Sequence, residues 1–351
     1  MSKLKYMNVL IIPILAYVSF TGYGALTYLP IAYSFLFIPF LELFIKADTT
    51  NLSEAEEELR KDNSIYDWQI YLMVPVQCVF VYLFLESMTE PGLAVGDRIG
   101  RITGMGLMCG VLGINVAHEL GHRTKKHEQF LAKILLLSSL YMHFFIEHNR
   151  GHHKNVSTKE DPSSARKNEA LYVFWIRSVV LSYFSAWKIE TERLRRSGHS
   201  FLSIHNQMLL FQFAQLGLLV GIAFFYGGEV TGYFVMAAVM GFLLLETVNY
   251  IEHYGLARNK KGDTYERVMP QHSWNSNHII GRLVLFELSR HSDHHYIASR
   301  KYQILRHIDE SPQMPTGYPG MMLLATVPPL WFYVMNRKLR KIEVAELKEA
   351  A

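Results

Sequence analysis

Six long apolar stretches dominate the sequence, and they restrict the folds that the chain can adopt. A helix needs about 20 residues to cross the hydrocarbon core of a bilayer, which is about 30 Å thick. Backbone groups must be hydrogen-bonded within such a core, so spanning segments of this length fold as helices. The sequence therefore predicts an all-α integral membrane protein with a bundle of six transmembrane helices, at residues 6–23, 25–45, 68–85, 99–117, 208–226 and 230–251.

Basic residues predict the orientation of this bundle. Lysine and arginine are concentrated before the first stretch and in the connections after the second, fourth and sixth stretches. The other connections, near Gly22, at 90–97 and at 227–229, contain few basic residues. Because basic loops are retained in the cytoplasm, we expect a protein of the bacterial inner membrane with both termini in the cytoplasm. A histidine-rich helical cap, at 118–205 and 252–351, is expected on the same side.

Three further apolar segments are not expected to cross the membrane. A full crossing at Phe130–Ile146 would place His118 and His148 on opposite faces, so we predict a buried, re-entrant or interfacial segment there. Leu171–Trp187 is interrupted by an arginine and is predicted to be a second such helix. Met321–Met335 contains two prolines and is too short to span, so we expect it on the membrane surface.

The composition narrows the classes of function. The formal charge of +4 is too small, and its basic residues too dispersed, for a nucleic-acid-binding protein. Cys78 and Cys109 lie in separate apolar stretches, which excludes a disulfide framework and a cysteine metal cage. The sequence contains no internal repeat and no flexible linker, so we expect a single domain over residues 1–351. Any metal chemistry must therefore rest on other ligands, and the chain has 16 histidines.

Histidines are concentrated in four motifs. These are HELGH at 118–122, EHNRGHH at 147–153, NYIEHYG at 249–255 and RHSDHH at 290–295. Spacings of three and four place imidazoles one helical turn apart on one face, as a shared metal requires. The motifs contain nine histidines, more than one transition metal binds, so they indicate two metals. Structural roles are expected for the isolated His127, His143, His199, His205 and His307.

Two alternatives compete with a two-metal centre. The first motif matches the His-Glu-x-x-His signature of zinc proteases, in which Glu119 would be the general base. That interpretation leaves seven clustered histidines without a role. A metal transporter would need acidic or histidine residues in the middle of the membrane stretches, which nearly lack both. The residues favour the two-metal centre, although imidazole suits zinc, copper, iron and nickel alike.

The four motifs together resemble those of the membrane-bound alkane 1-monooxygenase family, AlkB, which belongs to the histidine-box diiron hydroxylases and desaturases. Other segments are similar too: STKEDPSSAR at 157–166, HSWNSNH at 272–278 and PTGYPG at 315–320. The resemblance is close over residues 100–320 and extends to the earlier helices by pattern only. The length of the second motif and the motif around His253 favour the alkane branch over the desaturases.

This resemblance implies a non-haem diiron centre that uses two iron ions and O2 to oxidise the terminal carbon of an alkane to a primary alcohol. The ligands that it implies are His118, His122, His148, His152, His153, His253, His291, His294 and His295. We expect medium- to long-chain n-alkanes as substrates, with a fatty acyl chain or an alkyl aromatic compound as the alternative. The chain has no rubredoxin or ferredoxin cysteine pattern and no flavin motif. Electrons are therefore expected from a separate rubredoxin and its NADH-dependent reductase.

Residues near the motifs are expected to support the ligands, because a metal-bound imidazole usually needs a partner for its second ring nitrogen. The candidates are Glu119, Glu147, Asp161, Glu246, Glu252, Asp293, His272 and His278. Each carboxylate is also compatible with an ordinary solvated or capping role. The two histidines are also compatible with a purely structural role.

Two further predictions concern substrate and partner. Ser34 lies between two aromatic residues of the second stretch, so an alkyl chain would extend past it if it faces inward, and otherwise it is a helix-packing residue. Basic residues of the cap would attract an acidic rubredoxin or contact lipid headgroups. The candidates are Arg123, Lys125, Lys126, Arg193, Arg195 and Arg196.

Overall fold

The computed structural model describes residues 3–349, most of which are helical. The predicted domain also includes residues 1, 2, 350 and 351, which lie outside the described residues. In chain order the helices are α1 (Lys5–Thr21), α2 (Gly24–Glu42), α3 (Glu54–Lys61), α4 (Ser64–Met88), α5 (Val95–Gly121), α6 (Lys126–Ser138), α7 (144–155), α8 (Leu171–Arg196), α9 (Gln207–His253), α10 (Ile279–Val284), α11 (His291–Tyr296), α12 (Tyr318–Ala325) and α13 (Pro328–Glu349). Single helical turns at Pro270–His272 and Tyr302–Ile304 and an antiparallel hairpin of β1 (Lys260–Lys261) and β2 (Thr264–Tyr265) complete the fold.

The predicted membrane stretches fold as helices. Four of the described helices, α2, α4, α5 and α9, are long and apolar enough to cross a membrane, and α1 is a shorter apolar helix. The fifth and sixth predicted stretches both lie in α9. Gly227 interrupts this helix with φ 83° and ψ 167°, a conformation that glycine adopts readily. The break falls where the sequence predicts a connection between the fifth and sixth stretches.

Three short connections meet at one end of the bundle. Arg101 is fully buried there and donates hydrogen bonds to Glu90 at 2.9 Å and to the Gly22 carbonyl at 3.2 Å. Arg98 donates to Glu229 at 3.3 Å, next to the break in α9. The α1–α2 connection, the α4–α5 connection and the break therefore lie together, as the alternation of the stretches predicts.

The central helix of the bundle is α5, which packs closely against α9. A Cβ atom on Gly106 would lie 2.7 Å from Sδ of Met240, and one on Gly241 would lie 2.5 Å from Cβ of Cys109. Both distances are too short for real side-chain contacts, so the two glycines allow the backbones to approach. Small residues at facing positions are typical of helix packing in membranes.

The apolar segment Phe130–Ile146 is not one continuous helix. α6 ends at Ser138, and Leu140 has φ 51° in the turn before α7. The 13 residues of α6 are about 20 Å long, which is shorter than the hydrocarbon core. The ring centroids of His118 and His148 lie 4.5 Å apart, so this segment does not separate the first two motifs.

Two other segments differ from their predicted boundaries. α8 continues beyond Trp187 to Arg196. The added residues are mostly polar, so a boundary drawn from hydropathy leaves them out. Met321–Met335 is divided between α12 and α13, since Pro328 begins a new helix and cannot continue the preceding one.

Buried apolar side chains form two clusters. The larger occupies α1, α4, α5 and their neighbours, and the smaller lies among the end of α9, α12 and α13. Phe35, Leu244 and Leu285 pack against both clusters and therefore mark the seam between them.

A buried ion cluster fixes the N-terminal helix to the segment that precedes α11. Glu287 accepts hydrogen bonds from Tyr6 at 2.8 Å, from Lys5 at 3.1 Å and from Nε of Arg282 at 2.6 Å. Burial alone would raise the pKa of Glu287, but Arg282 and Lys5 hold this pKa below its usual value. Ionised Glu287 therefore stabilises the folded protein.

We expect Glu287→Gln to lower the thermal unfolding midpoint in detergent at pH 7, because it leaves buried cations without their counter-charge. Breaking a buried ion pair costs about 3–5 kcal/mol. The folded-state pKa of Glu287 lies below the unfolded value of about 4.3. The extra stability of the wild type relative to Glu287→Gln is therefore present above that pH. This extra stability is lost as the pH falls through the folded-state pKa of Glu287.

The matched control is Glu343→Gln, which removes an exposed partner of Lys167 and should change the midpoint little. Equal midpoints for Glu287→Gln and the wild type at pH 7 would contradict the stabilising role.

Candidate metal centre

Four helices bring the nine predicted ligands together at the end of the bundle opposite Arg101. The contributing segments are α5 with His118 and, directly after the helix, His122, α7 with His148, His152 and His153, the end of α9 with His253, and α11 with His291, His294 and His295. The spacings of three and four, between His118 and His122 and within α11, place these rings on one helix face.

The nine rings form two adjacent groups. Within each group, one nitrogen of every ring lies within 4.8 Å of the others. The first group contains His118, His122, His148, His153 and His294, and the second contains His152, His253, His291 and His295. The groups adjoin where His153 stacks on His295, with ring centroids 4.3 Å apart.

The separations of the facing nitrogens fit metal coordination. Nε2 of His148 lies 3.1 Å from Nε2 of His122 and from Nε2 of His153. A metal ion binds imidazole nitrogens at a distance of about 2.1 Å. Two such nitrogens are about 3.0 Å apart when they subtend a right angle at the metal, and about 4.2 Å apart when they lie on opposite sides of it. Nε2 of His118 and Nε2 of His152 are buried without a hydrogen-bond partner among residues 3–349. Imidazole nitrogens that converge in this way can bind transition-metal ions through their lone pairs.

Burial keeps neutral those rings of the first group that lie outside the membrane helices. Burial and the neighbouring histidines hold the pKa of His148, His153 and His294 well below the usual value. The same effects lower the pKa of His122 to about 3. A neutral imidazole has a free lone pair, so these rings are in the protonation state that metal binding requires.

Asp161 contacts the outer ring nitrogen of one predicted ligand, His152. Its Oδ2 atom lies 2.9 Å from Nδ1 of His152, and Ser164 donates a hydrogen bond to the same oxygen at 2.5 Å. Burial lowers the pKa of His152, but the Asp161 carboxylate outweighs this effect and raises it. With Nδ1 held by Asp161, Nε2 of His152 faces the second group.

Glu252 has a different position from the predicted one. Its Oε2 atom lies 3.1 Å from Nε2 of His291, the nitrogen that also faces His253 at 3.2 Å. Tyr318 donates a hydrogen bond to the other carboxylate oxygen at 2.6 Å. Glu252 is therefore an oxygen donor on the metal side of the second group, and it does not hold an outer ring nitrogen.

The other predicted supporting residues have polar partners outside the nine histidines. Neighbours in a helix point about 100° apart, so a position next to a ligand does not by itself direct a carboxylate toward the metal. The pairs are Glu119 with Arg123 (2.7 Å), Glu147 with Ser185 (3.4 Å), Glu246 with Tyr141 (2.8 Å), Asp293 with Arg306 (2.8 Å), His272 with Glu266 (3.3 Å) and His278 with Ser276 (3.1 Å). The ion pair of Glu119 with Arg123 also differs from the free general base that a zinc protease needs.

The isolated histidines lie apart from both groups. Among the described residues, the groups of converging nitrogens do not include His127, His143, His199, His205 or His307. His143 packs against Tyr141 with ring centroids 4.3 Å apart, and His199 stacks on His205 at 3.9 Å.

An apolar cavity ends at the histidines. Phe35 and Ile38 of α2 line it together with residues of α5, α9, α10 and α12, and His118, His148 and His291 lie at one end. Ser34 lines the same cavity, so it faces inward. The cavity lies at the seam between the two apolar clusters.

Sequence reasoning missed several features of this cavity. Asn115, Asn249 and Tyr318 contribute polar groups to it. Asn249 and Tyr318 lie in the segments NYIEHYG and PTGYPG, but neither is predicted as a site residue, and Asn115 lies in no such segment. Three π-helical segments, at Tyr33–Phe37, Cys109–Asn115 and His148–His152, border the cavity. Such insertions are frequent at functional sites, but hydropathy and spacing do not reveal them.

Comparisons with known proteins agree with this geometry. A family model described as fatty acid desaturase matches residues 100–325. Alkane 1-monooxygenase 2 of Alcanivorax borkumensis is 38% identical over 326 residues, which is 90% of this chain and 84% of the relative. Alkane 1-monooxygenase 2 of Pseudomonas aeruginosa is 39% identical over 327 residues, which is 92% of this chain and 86% of the relative. Alkane 1-monooxygenase 1 of the same organism is 46% identical over 250 residues, which is 71% of this chain and 65% of the relative.

We expect Asp161→Asn to weaken metal binding about 10- to 100-fold, because the neutral amide no longer fixes the tautomer of His152 or raises its basicity. Metal retained after dialysis against a graded chelator series measures the effect. Asp263→Asn, at an exposed position of the hairpin, is the matched control and should behave like the wild type. Unchanged retention in Asp161→Asn would show that the carboxylate does not support a metal ligand.

Proposed function

The chain belongs to the alkane 1-monooxygenase family, within the diiron hydroxylase superfamily, and is a monooxygenase; we propose that it oxidises the terminal methyl group of medium- to long-chain n-alkanes to 1-alkanols. The observation that carries this proposal is the position of the apolar cavity, which ends at two adjoining groups of converging histidine nitrogens. An alkane has no polar group, so a cavity with apolar walls accepts it without a desolvation cost.

Iron is the metal that we propose for both groups. Five histidines would hold one ion, and four histidines, with Glu252 available as an oxygen donor, would hold the other. Two bound iron ions would supply the reduction of O2 and the cleavage of an unactivated C–H bond. In balance, one alkane, one O2, two electrons and two protons give one alcohol and one water.

The residues of the chain orient the substrate and exclude water. Phe144 stacks on His148 with ring centroids 4.6 Å apart and lines the cavity next to the ligands. Ser34, Phe35 and Ile38 line the α2 wall, so their bulk would limit the length of chain that fits. A site that excludes water protects an oxidising centre from side reactions.

The electrons would come from a rubredoxin that its NADH-dependent reductase reduces. His122 and His153 are the partly exposed rings of the nine, and Lys125 and Lys126 are exposed close to His122 in sequence. These cations would attract an acidic carrier to the accessible edge of the centre. Arg123, by contrast, is buried between Asp67 and Glu119 and is not available for docking. Arg195 and Arg196 are exposed at the end of α8.

Six crossings and a cytoplasmic metal centre are the topology that we propose. α1 and the two parts of α9 on either side of Gly227 would add to α2, α4 and α5. The end with the three short connections would then face the periplasm of a bacterial inner membrane, and the histidines would face the cytoplasm.

The function test combines metal analysis with product analysis on the detergent-purified protein. We expect about two iron ions per chain and 1-octanol or 1-hexadecanol from the corresponding alkane when rubredoxin, reductase and NADH are supplied. His294→Ala should lose iron and product, because it removes a nitrogen of the first group. His199→Ala, at an exposed position, is the control and should retain both. One zinc per chain and no alkanol would overturn the proposal.

The topology test uses single cysteines and a membrane-impermeant maleimide. Ala94→Cys lies exposed at the end with the short connections, and Lys159→Cys lies exposed in the loop after α7. We expect label on Ala94→Cys in intact spheroplasts and on Lys159→Cys only after permeabilisation. The reverse pattern would place the histidines on the periplasmic side.

A further inference from the structure

A second apolar groove lies beside the inner cavity, between α8 and α9. Trp175 forms one wall, and Met236, Val239 and Leu243 belong to the other. Met236 and Val239 are exposed, so the groove opens on the surface of a membrane helix that faces lipid. Its α9 wall extends from residue 235 to residue 247, about 18 Å along the helix.

Leu244 belongs to both the groove and the inner cavity. Its side chain is half-buried and packs against both apolar clusters. Its Cδ1 atom lies 3.3 Å from the position that a Cβ atom would take on Gly110, which lines the inner cavity. Leu244 therefore stands between the lipid-facing groove and the cavity that ends at the histidines.

The polar groups of the groove are already paired with one another. Nε1 of Trp175 donates a hydrogen bond to Oγ1 of Thr247 at 3.1 Å, and Thr247 donates to the Leu243 carbonyl at 2.7 Å. An apolar chain in the groove would leave these hydrogen bonds intact, whereas a polar ligand would find its own groups unpaired. The groove is therefore suited to an alkyl chain.

We propose that this groove is the entry site for the alkane, and that Leu244 is the gate between the groove and the inner cavity. The inference rests on the proposed function. A chain that passes Leu244 enters the inner cavity end-on, so its terminal methyl group reaches the histidines first. The path opens by a change of the Leu244 rotamer, which the half-buried position of the side chain allows.

The test measures occupancy of the two sites with a photoreactive alkane, a hexadecane that carries a diazirine near one end. The iron-loaded enzyme is labelled in lipid nanodiscs, and the labelled peptides are identified by mass spectrometry. We expect label within residues 235–247 of α9, at groove-lining side chains such as Val239, and within residues 33–38 of α2, at the cavity-lining Ser34, Phe35 and Ile38.

Val239→Trp fills the groove without touching the inner cavity. We expect it to reduce labelling of residues 33–38 at least fivefold and to lower kcat/KM for hexadecane at least tenfold, with iron content and unfolding midpoint unchanged. Met236→Trp is a second groove-filling variant in case the first folds poorly. Val220→Trp makes the same change at an exposed position of α9 outside the groove and should resemble the wild type.

Leu244→Ala tests the gate. Because it shortens the side chain between the two sites, we expect it to increase labelling of residues 33–38 relative to residues 235–247. Wild-type labelling and wild-type kcat/KM in both groove-filling variants would overturn the entry route and leave the proposed function intact. The expected labelling pattern without any alkanol from the wild type would instead overturn the proposed function and retain the groove as an alkyl-chain site.

Discussion

The unfavourable burial of nine imidazole rings in one volume is the constraint on which the structure depends. A buried polar atom without a partner costs free energy, and Nε2 of His118 and Nε2 of His152 have no partner among the described residues. Protonation does not relieve the cost at His148, His153 and His294, because burial and the neighbouring rings hold the pKa of these residues well below the usual value. Metal ions relieve it by using the lone pairs of neutral rings. Metal binding is therefore expected to stabilise the fold of the cap as well as to supply its chemistry.

Such a centre requires rigid helices that arrive from distant parts of the sequence. α5 and α9 pack closely through Gly106 and Gly241, which fixes the distance between two of the contributing helices. At one end of the bundle Arg101 joins the short connections, and at the other end Glu287 holds the segment before α11 against α1. The ion clusters thus lie at the two ends of the apolar bundle that positions α5 and α9.

The sequence predicts those parts of this arrangement that follow from local periodicity. Hydropathy reveals the membrane helices, and spacings of three and four reveal which histidines share a face. The direction of side chains next to a ligand is not predictable in the same way, because one residue along a helix rotates a side chain by about 100°. Glu119 consequently pairs with Arg123, whereas Glu252 turns toward His291. The end of α6 at Ser138 and the π-helical turn at His148–His152 depend on tertiary packing, for which a single sequence contains no periodic signal.

The seam between the two apolar clusters connects stability with substrate access. Complete fusion of the clusters would bury more apolar surface and stabilise the protein further, but it would also fill the space in front of the histidines. Phe35, Leu244 and Leu285 contact both clusters and line the cavity that remains between them. The packing is therefore incomplete at the cavity between the two clusters, where a bound apolar ligand would fill the space. A bound alkyl chain would restore the missing contacts, so the substrate itself is expected to contribute to the packing of the site.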